Sequence, residues 1–155
     1  MSEEEKLVFA AARKDIGAQL FKAARTEMAL ERYKKVIDLL SHIDEFKEEH
    51  KTKAKDLKKA CRLNTAACHN RLSQFQDCKK ACESVLEEER GNVKAHFRHA
   101  QAEFGLQEFG GCMRALRKVI ELDPQNREAR ALLKKARAAQ REEDEAAKGM
   151  FSKMC

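Results

Sequence analysis

Two consecutive stretches decide how this chain is read: Lys59–Asn92, KACRLNTAACHNRLSQFQDCKKACESVLEEERGN, and Val93–Asn126, VKAHFRHAQAEFGLQEFGGCMRALRKVIELDPQN. Each is 34 residues long, and the second overlays the first without a gap. In that register Asn64 lies over Arg98, Ala66 over Ala100, Phe75 over Phe109, Cys78 over Cys112 and Val85 over Val119. A period of this length in a chain of helix formers marks stacked helical hairpins. Two antiparallel helices approach closely only where small side chains face large ones, and the overlaid positions alternate in that way.

The pattern has a small residue in the middle of a first helix, Ala-x3-Phe in a second, and a closing Pro. The later stretch supplies Ala100, then Cys112 with Leu116, and ends in Leu122-Asp123-Pro124. The earlier one supplies Ala66, then Cys78 with Cys82, so cysteines hold packing positions. This resembles the tetratricopeptide repeat. A first copy precedes both, with Gly17 at the small position, Leu20, then Ala29-x3-Tyr33 and Val36. Gly17 and Ala66 are 49 residues apart, so about 15 extra residues precede the second copy. They fall in SHIDEFKEEHKTKAKDLKK, which reads as lengthened helices around a short break. Ser73-x-x-Gln76 reads as a capping box, and Gly91 as the C′ residue of one helix before Asn92 opens the next. Gly105, Gly110 and Gly111 bracket the third turn. A seventh helix is expected from about Asn126 toward residue 150, with Leu132, Leu133, Ala136 and Ala139 as its packing stripe and an end, REEDEAAKG, that has little to bury. The expected fold is all-α: one domain over residues 1–155, a right-handed solenoid of three hairpins (about 10–43, 59–92 and 93–126) and a C-terminal capping helix (about 126–150).

Composition agrees. Charged residues make up 37% of the 155, aromatics 6%, and there is no Trp and one Pro. The net charge is +6, with acids and bases interleaved; most of that charge is solvated helix surface, and any excess focused in one groove attracts an anion. MSEEEKLVF has no apolar core behind a basic start, and no run approaches 18 apolar residues, so a soluble, cytoplasmic chain is expected, with the nucleus as a further compartment. The six cysteines (Cys61, Cys68, Cys78, Cys82, Cys112, Cys155) include no C-x-x-C pair and read as reduced thiols used as small apolar residues.

The segments KDIGAQLFK, ALERYKKVIDLL, LNTAAC, VKAHFRHAQAEF, ELDPQNREA and GMFSKM resemble the tetratricopeptide domain of the large immunophilins, the FKBP-type and large cyclophilin-type peptidyl-prolyl isomerases. The likeness covers essentially the whole chain. In such proteins the isomerase domain precedes the repeats. Nothing here reads as that domain, so the chain is expected to be a non-enzymatic docking module.

First helices of the hairpins line the concave face of such a solenoid. Lys94 and Arg98 share a face of one of them, four residues apart; with nothing between them the pair costs about 0.2–0.5 kcal/mol. An anion between them turns that repulsion into charge-assisted hydrogen bonds worth about 1.5–3 kcal/mol each. By composition about six such pairs arise by chance, so spacing alone says little. The resemblance adds register. The family's carboxylate clamp wants Lys in the first helix of repeat one, Asn in that of repeat two, and Lys-x3-Arg in repeat three; Lys14, Asn64, Lys94 and Arg98 stand there. Chance agreement at all four is on the order of 2 × 10⁻⁴. The resemblance implies that an acidic C-terminal tail ending in Glu-Glu-Val-Asp, from heat-shock protein 90 or 70, lies in the groove. Lys14 and Asn64 would hold its α-carboxylate, Lys94 the last Asp side chain and Arg98 the peptide further back, with Phe21 and Gln101 lining the groove. Ala18 stands where a second Asn is usual, which removes one donor at about 0.5–1.5 kcal/mol. The alternative is a scaffold whose groove takes another helix or peptide, with a vestigial clamp.

Other chemistries have thinner support. His96 and His99 lie on the groove helix and His69 on the one before, with no acid or cysteine at ligand spacing, so no metal and no cofactor are expected. His42 and His50 read as exposed. No nucleophile turn and no glycine-rich phosphate loop is present, so there are no catalytic candidates. KTKAKDLKK lacks the aromatics that nucleic-acid readers interleave with base, and neither nucleic acid nor membrane is expected. The last helix, basic over Arg127–Arg141, is a weak match to a calmodulin target because REEDE interrupts it.

Overall fold

The computed structural model describes residues 1–154; Cys155 lies outside the described residues. Among them are seven α-helices: α1 (Glu3–Lys22), α2 (Thr26–Leu39), α3 (Glu48–Arg71), α4 (Phe75–Glu88), α5 (Val93–Gly105), α6 (Phe109–Leu122) and α7 (Arg127–Met154). A short 3-10 turn, Ile43–Glu45, separates α2 from α3. Each helix packs on its neighbour in the chain. In addition α1 touches α3, α3 touches α5 and α5 touches α7, whereas α2, α4 and α6 do not touch one another. The odd helices therefore form the crowded inner layer and the even ones fan apart outside, which curves the stack around the odd helices.

Packing follows the small-against-large rule with its sizes traded between repeats. Gly17 leaves room for the Tyr33 ring, since a Cβ there would sit 2.8 Å from Tyr33 Cε1. In the corresponding place of the next repeat Ala66 clusters with Cys82, and in the third Ala100 clusters with Leu116. Gly105 plays a similar part in α5, where any side chain would run into the Phe75 ring. Cys61, Cys68, Cys78, Cys82 and Cys112 are free thiols with no exposed surface, each a small apolar filler between helices.

Several helix ends depart from the sequence reading. Ser73 does not cap α4. It follows α3 in the left-handed region at φ 59°, with Gln74 N–H donating back to His69 O at 2.7 Å and Ser73 N–H to Asn70 O at 3.1 Å. Ala24 after α1 and Gln107 after α5, both at φ 61°, repeat this device, the double hydrogen bond that closes a helix C-terminus. Three non-glycine residues thus hold a conformation that glycine usually takes, because the hairpin geometry outweighs local preference. Conversely, Gly91 is not in the left-handed region; α4 ends through the extended residue Glu89. Gly110 and Gly111 lie inside the first turn of α6 rather than in a loop. Asn92 caps α5 as expected, accepting from Ala95 N–H at 2.9 Å, and Asn126 caps α7 by the same bond to Ala129 N–H at 2.9 Å.

The insertion lengthens one helix only. The outer helices α2, α4 and α6 are all 14 residues long, while α3 has 24 and begins at Glu48. Buried Ile43 and Phe46 pin the break to the core. Glu3 of α1 accepts from Lys47 N–H at 2.7 Å and so satisfies the start of α3. His50 is half-buried beside that carboxylate, 3.6 Å away, rather than exposed. At the far end α7 runs on to Met154, and all of its residues after Gln140 are exposed.

Candidate functional site

The inner layer carries the candidate residues on three adjacent helices: Lys14 on α1, Asn64 on α3, Lys94 and Arg98 on α5. Arg98 is the structural hinge of the group. It is half-buried, and its Nη1 donates to Leu63 O at 3.0 Å, one residue from Asn64. Its own carbonyl accepts from Asn70 Nδ2 at 3.1 Å and from Cys78 Sγ at 3.5 Å. Burial pulls the Arg98 pKa below its ordinary value, opposed by the surrounding Cys82, Cys78, Cys68 and Tyr33. Guanidinium remains charged in proteins, so a fixed cation with unused donors stands on the inner face.

On the other side Lys14, half-buried, lies near enough to Cys61 of α3 to oppose the effect of burial, which pushes that thiol up to about 11. Cys61 is one turn before Asn64, so Lys14, Asn64 and Arg98 follow one another across α1, α3 and α5. Lys94, exposed, is one turn before Arg98. Lys94, Arg98 and Gln101 share a cavity of about 340 Å³ with Val93, Phe97, Asn126 and Glu128. That cavity lies at the N-terminal ends of α5 and α7, where unpaired N–H groups add positive potential. The first turns of α1 and α3 carry Glu3, Glu4, Glu5, Glu48 and Glu49, that of α7 carries the one acid Glu128, and that of α5 carries none.

Phe21 sits apart from this cavity. Its ring lies under the Arg71 guanidinium at 3.4 Å, and its carbonyl accepts from Arg71 Nη1 at 2.7 Å. Cation–π stacking thus ties Phe21 of α1 to the end of α3. None of the ion pairs among the described residues involves Lys14, Lys94 or Arg98.

One cluster escaped the sequence reading. His99 on α5 bonds through Nδ1 to Glu103 Oε1 at 2.8 Å and through Nε2 to Glu83 Oε1 at 3.3 Å. The Glu103 bond raises the His99 pKa above 6.5, burial opposes it, and Glu83 adds to the rise. The i, i+4 spacing of His99 and Glu103 was the available signal, and it corrects the reading that no acid stands at such spacing from these histidines. Among the described residues no group of three or more His, Cys, Asp and Glu side chains could hold a metal ion.

No protein-family model matches the chain. It is 32% identical over 154 residues, 99% of its length, to the peptidyl-prolyl cis-trans isomerase FKBP4 of Bos taurus, of which that stretch is 34%. It is 33% identical over 133 residues to human FKBP4, 86% of this chain and 29% of the relative. The chain thus spans about a third of the curated relatives it matches. Among solved structures, the C-terminal TPR-containing domain of a Plasmodium falciparum FK506-binding protein superposes with a TM-score of 0.84 at 25% identity, covering 94% of this chain and 97% of that one. The first TPR of Spaghetti (RPAP3), bound to the HSP90 peptide SRMEEVD, superposes with a TM-score of 0.69 at 25% identity, covering 84% and 92%. The isomerase domain of the FKBP4-type relatives lies outside the matched region. In sequence and in fold, this all-helical chain is homologous to the C-terminal tetratricopeptide region of the FKBP-type immunophilins.

Proposed function

We propose that this domain docks a co-chaperone of the FKBP type onto heat-shock protein 90, with heat-shock protein 70 as the second candidate, by holding the free acidic C-terminus of the chaperone. The observation that carries this reading is the placement of Lys14, Asn64, Lys94 and Arg98 on three adjacent inner helices, with Lys94, Arg98 and Gln101 lining one cavity. Cations left unpaired on a concave face are available to an anion from outside.

In this reading an extended peptide crosses the inner layer. Lys14 and Asn64 bind the α-carboxylate and Lys94 the last Asp side chain. Arg98, with one N–H committed to Leu63, offers its remaining donors to the peptide further back. Gln101 borders the cavity beside it. A terminal residue bearing two carboxylates satisfies the row, whereas an internal acidic stretch lacks the α-carboxylate, so a free C-terminus is selected.

Calorimetric titration with a peptide ending in Met-Glu-Glu-Val-Asp tests this. The expected Kd is on the order of micromolar, about −8 kcal/mol, and binding is lost when the C-terminus is amidated. Equal binding of acid and amide, or no binding of either, would leave a scaffold for another helix or peptide.

A further inference from the structure

The two ends of the solenoid carry complementary features that the inner face does not use. At the first end α1 and α2 enclose a groove of about 410 Å³. Its floor is Phe9, Val36 and Leu39, and its rim Arg13, Arg32 and Lys35, with Asp38 the one acid. Phe9 remains 41% exposed although Arg13 lies 4.9 Å over its ring. Ile16, two turns along the same face of α1, is 38% exposed and extends the apolar strip.

At the other end, Ala147, Met150, Phe151 and Met154 of α7 recur at i, i+3, i+4 and i+7 and form one apolar stripe. Met150, Phe151 and Met154 are 68%, 69% and 82% exposed. One turn earlier stand Glu142, Glu143, Asp144 and Glu145. A helix end that buries nothing is marginal in water, so this segment gains from a partner. Among the described residues neither those four acids nor the three rim cations take part in any ion pair. Nor can one chain join its own two ends: α7 packs on α6 and α5 and touches neither α1 nor α2.

We propose that the exposed end of α7 is a self-association element that lies in the α1–α2 groove of a second copy, Met150, Phe151 and Met154 on the Phe9–Val36–Leu39 floor and the acids against Arg13, Arg32 and Lys35. The mode is a helix in a groove. Charge sign favours this occupant: a basic amphipathic helix is repelled by the rim, whereas from Glu142 to Met154 α7 carries four acids against Lys148 and Lys153. Both halves occur in every copy, so no further component is needed.

Sedimentation equilibrium across about 5–500 µM tests this, a range suited to a small interface. The wild-type mass should rise above 17.7 kDa and fall back as salt is raised. Phe151→Asp, which spoils the tail, and Arg32→Glu with Lys35→Glu, which spoils the groove, should each remain monomeric. All three side chains lie on helix surfaces, and helical circular dichroism checks that folding is kept. Mixed, the two variants should form a one-to-one dimer, since one brings an intact groove and the other an intact tail. A wild type that is monomeric throughout overturns the proposal and leaves the groove to a different protein. So does a groove variant that still self-associates, which would indicate tail-to-tail pairing, or a mixture that stays apart.

Discussion

Arg98 of α5 donates to the main-chain carbonyl of Leu63 in α3 across 3.0 Å, so a residue proposed to bind peptide also ties two inner helices together. Lys94, one turn away and exposed, has no such second role. The two should separate in experiment. Lys94→Ala is expected to abolish measurable peptide binding with stability within about 0.5 kcal/mol of wild type. Arg98→Ala should weaken binding and also destabilise by about 1.5–3 kcal/mol, because Leu63 O loses a charged donor. Calorimetry beside urea denaturation reads both quantities.

Gly17→Ala places a methyl 2.8 Å from the Tyr33 ring and is expected to cost about 1–3 kcal/mol. Adding Tyr33→Cys reproduces the Ala66–Cys82 pairing of the second repeat and should recover part of that loss. A double-mutant cycle by urea denaturation measures the coupling; strict additivity would show that the two residues are not in contact.

Gln107 holds φ 61° with no side-chain requirement at that turn. Gln107→Gly is expected to raise stability by about 0.5–1 kcal/mol, the left-handed penalty relieved less the added freedom of the unfolded chain. Thermal unfolding should move upward by about 2–4 °C per kcal/mol for a domain of this size. Gly91→Ala, at a position outside the left-handed region, should not show the reverse penalty.

His99 gives the stability a pH dependence. Its folded pKa is raised, first by Glu103, so its contribution is fully present below the unfolded value near 6.5 and is lost as pH rises through the higher folded value. Urea denaturation between about pH 6 and 9 should show wild-type stability declining as His99 loses its proton, with the decline reduced in His99→Gln. Equal slopes for the two proteins would assign the decline to other groups.

The 34-residue overlay, read from the chain alone, determined the helical hairpins because each repeat must bury the same face against its neighbours. Phe75 over Phe109 and Cys78 over Cys112 record that demand directly in the sequence. The positions of Lys14, Asn64, Lys94 and Arg98 on inner helices follow from the same register. What the chain alone left open depends on groups distant in sequence. The Phe21 ring meets the Arg71 guanidinium, 50 residues later, only because α1 packs on α3. Ser73 reads as a helix cap until the packing of α3 against α4 drives it to φ 59°. The His99–Glu103 spacing was visible, but Glu83 joins only because α4 packs on α5. Periodicity is a local record of burial and survives in one dimension; ion pairs, ring stacking and strained turns are settled by which side chains meet, and only the tertiary structure brings them together.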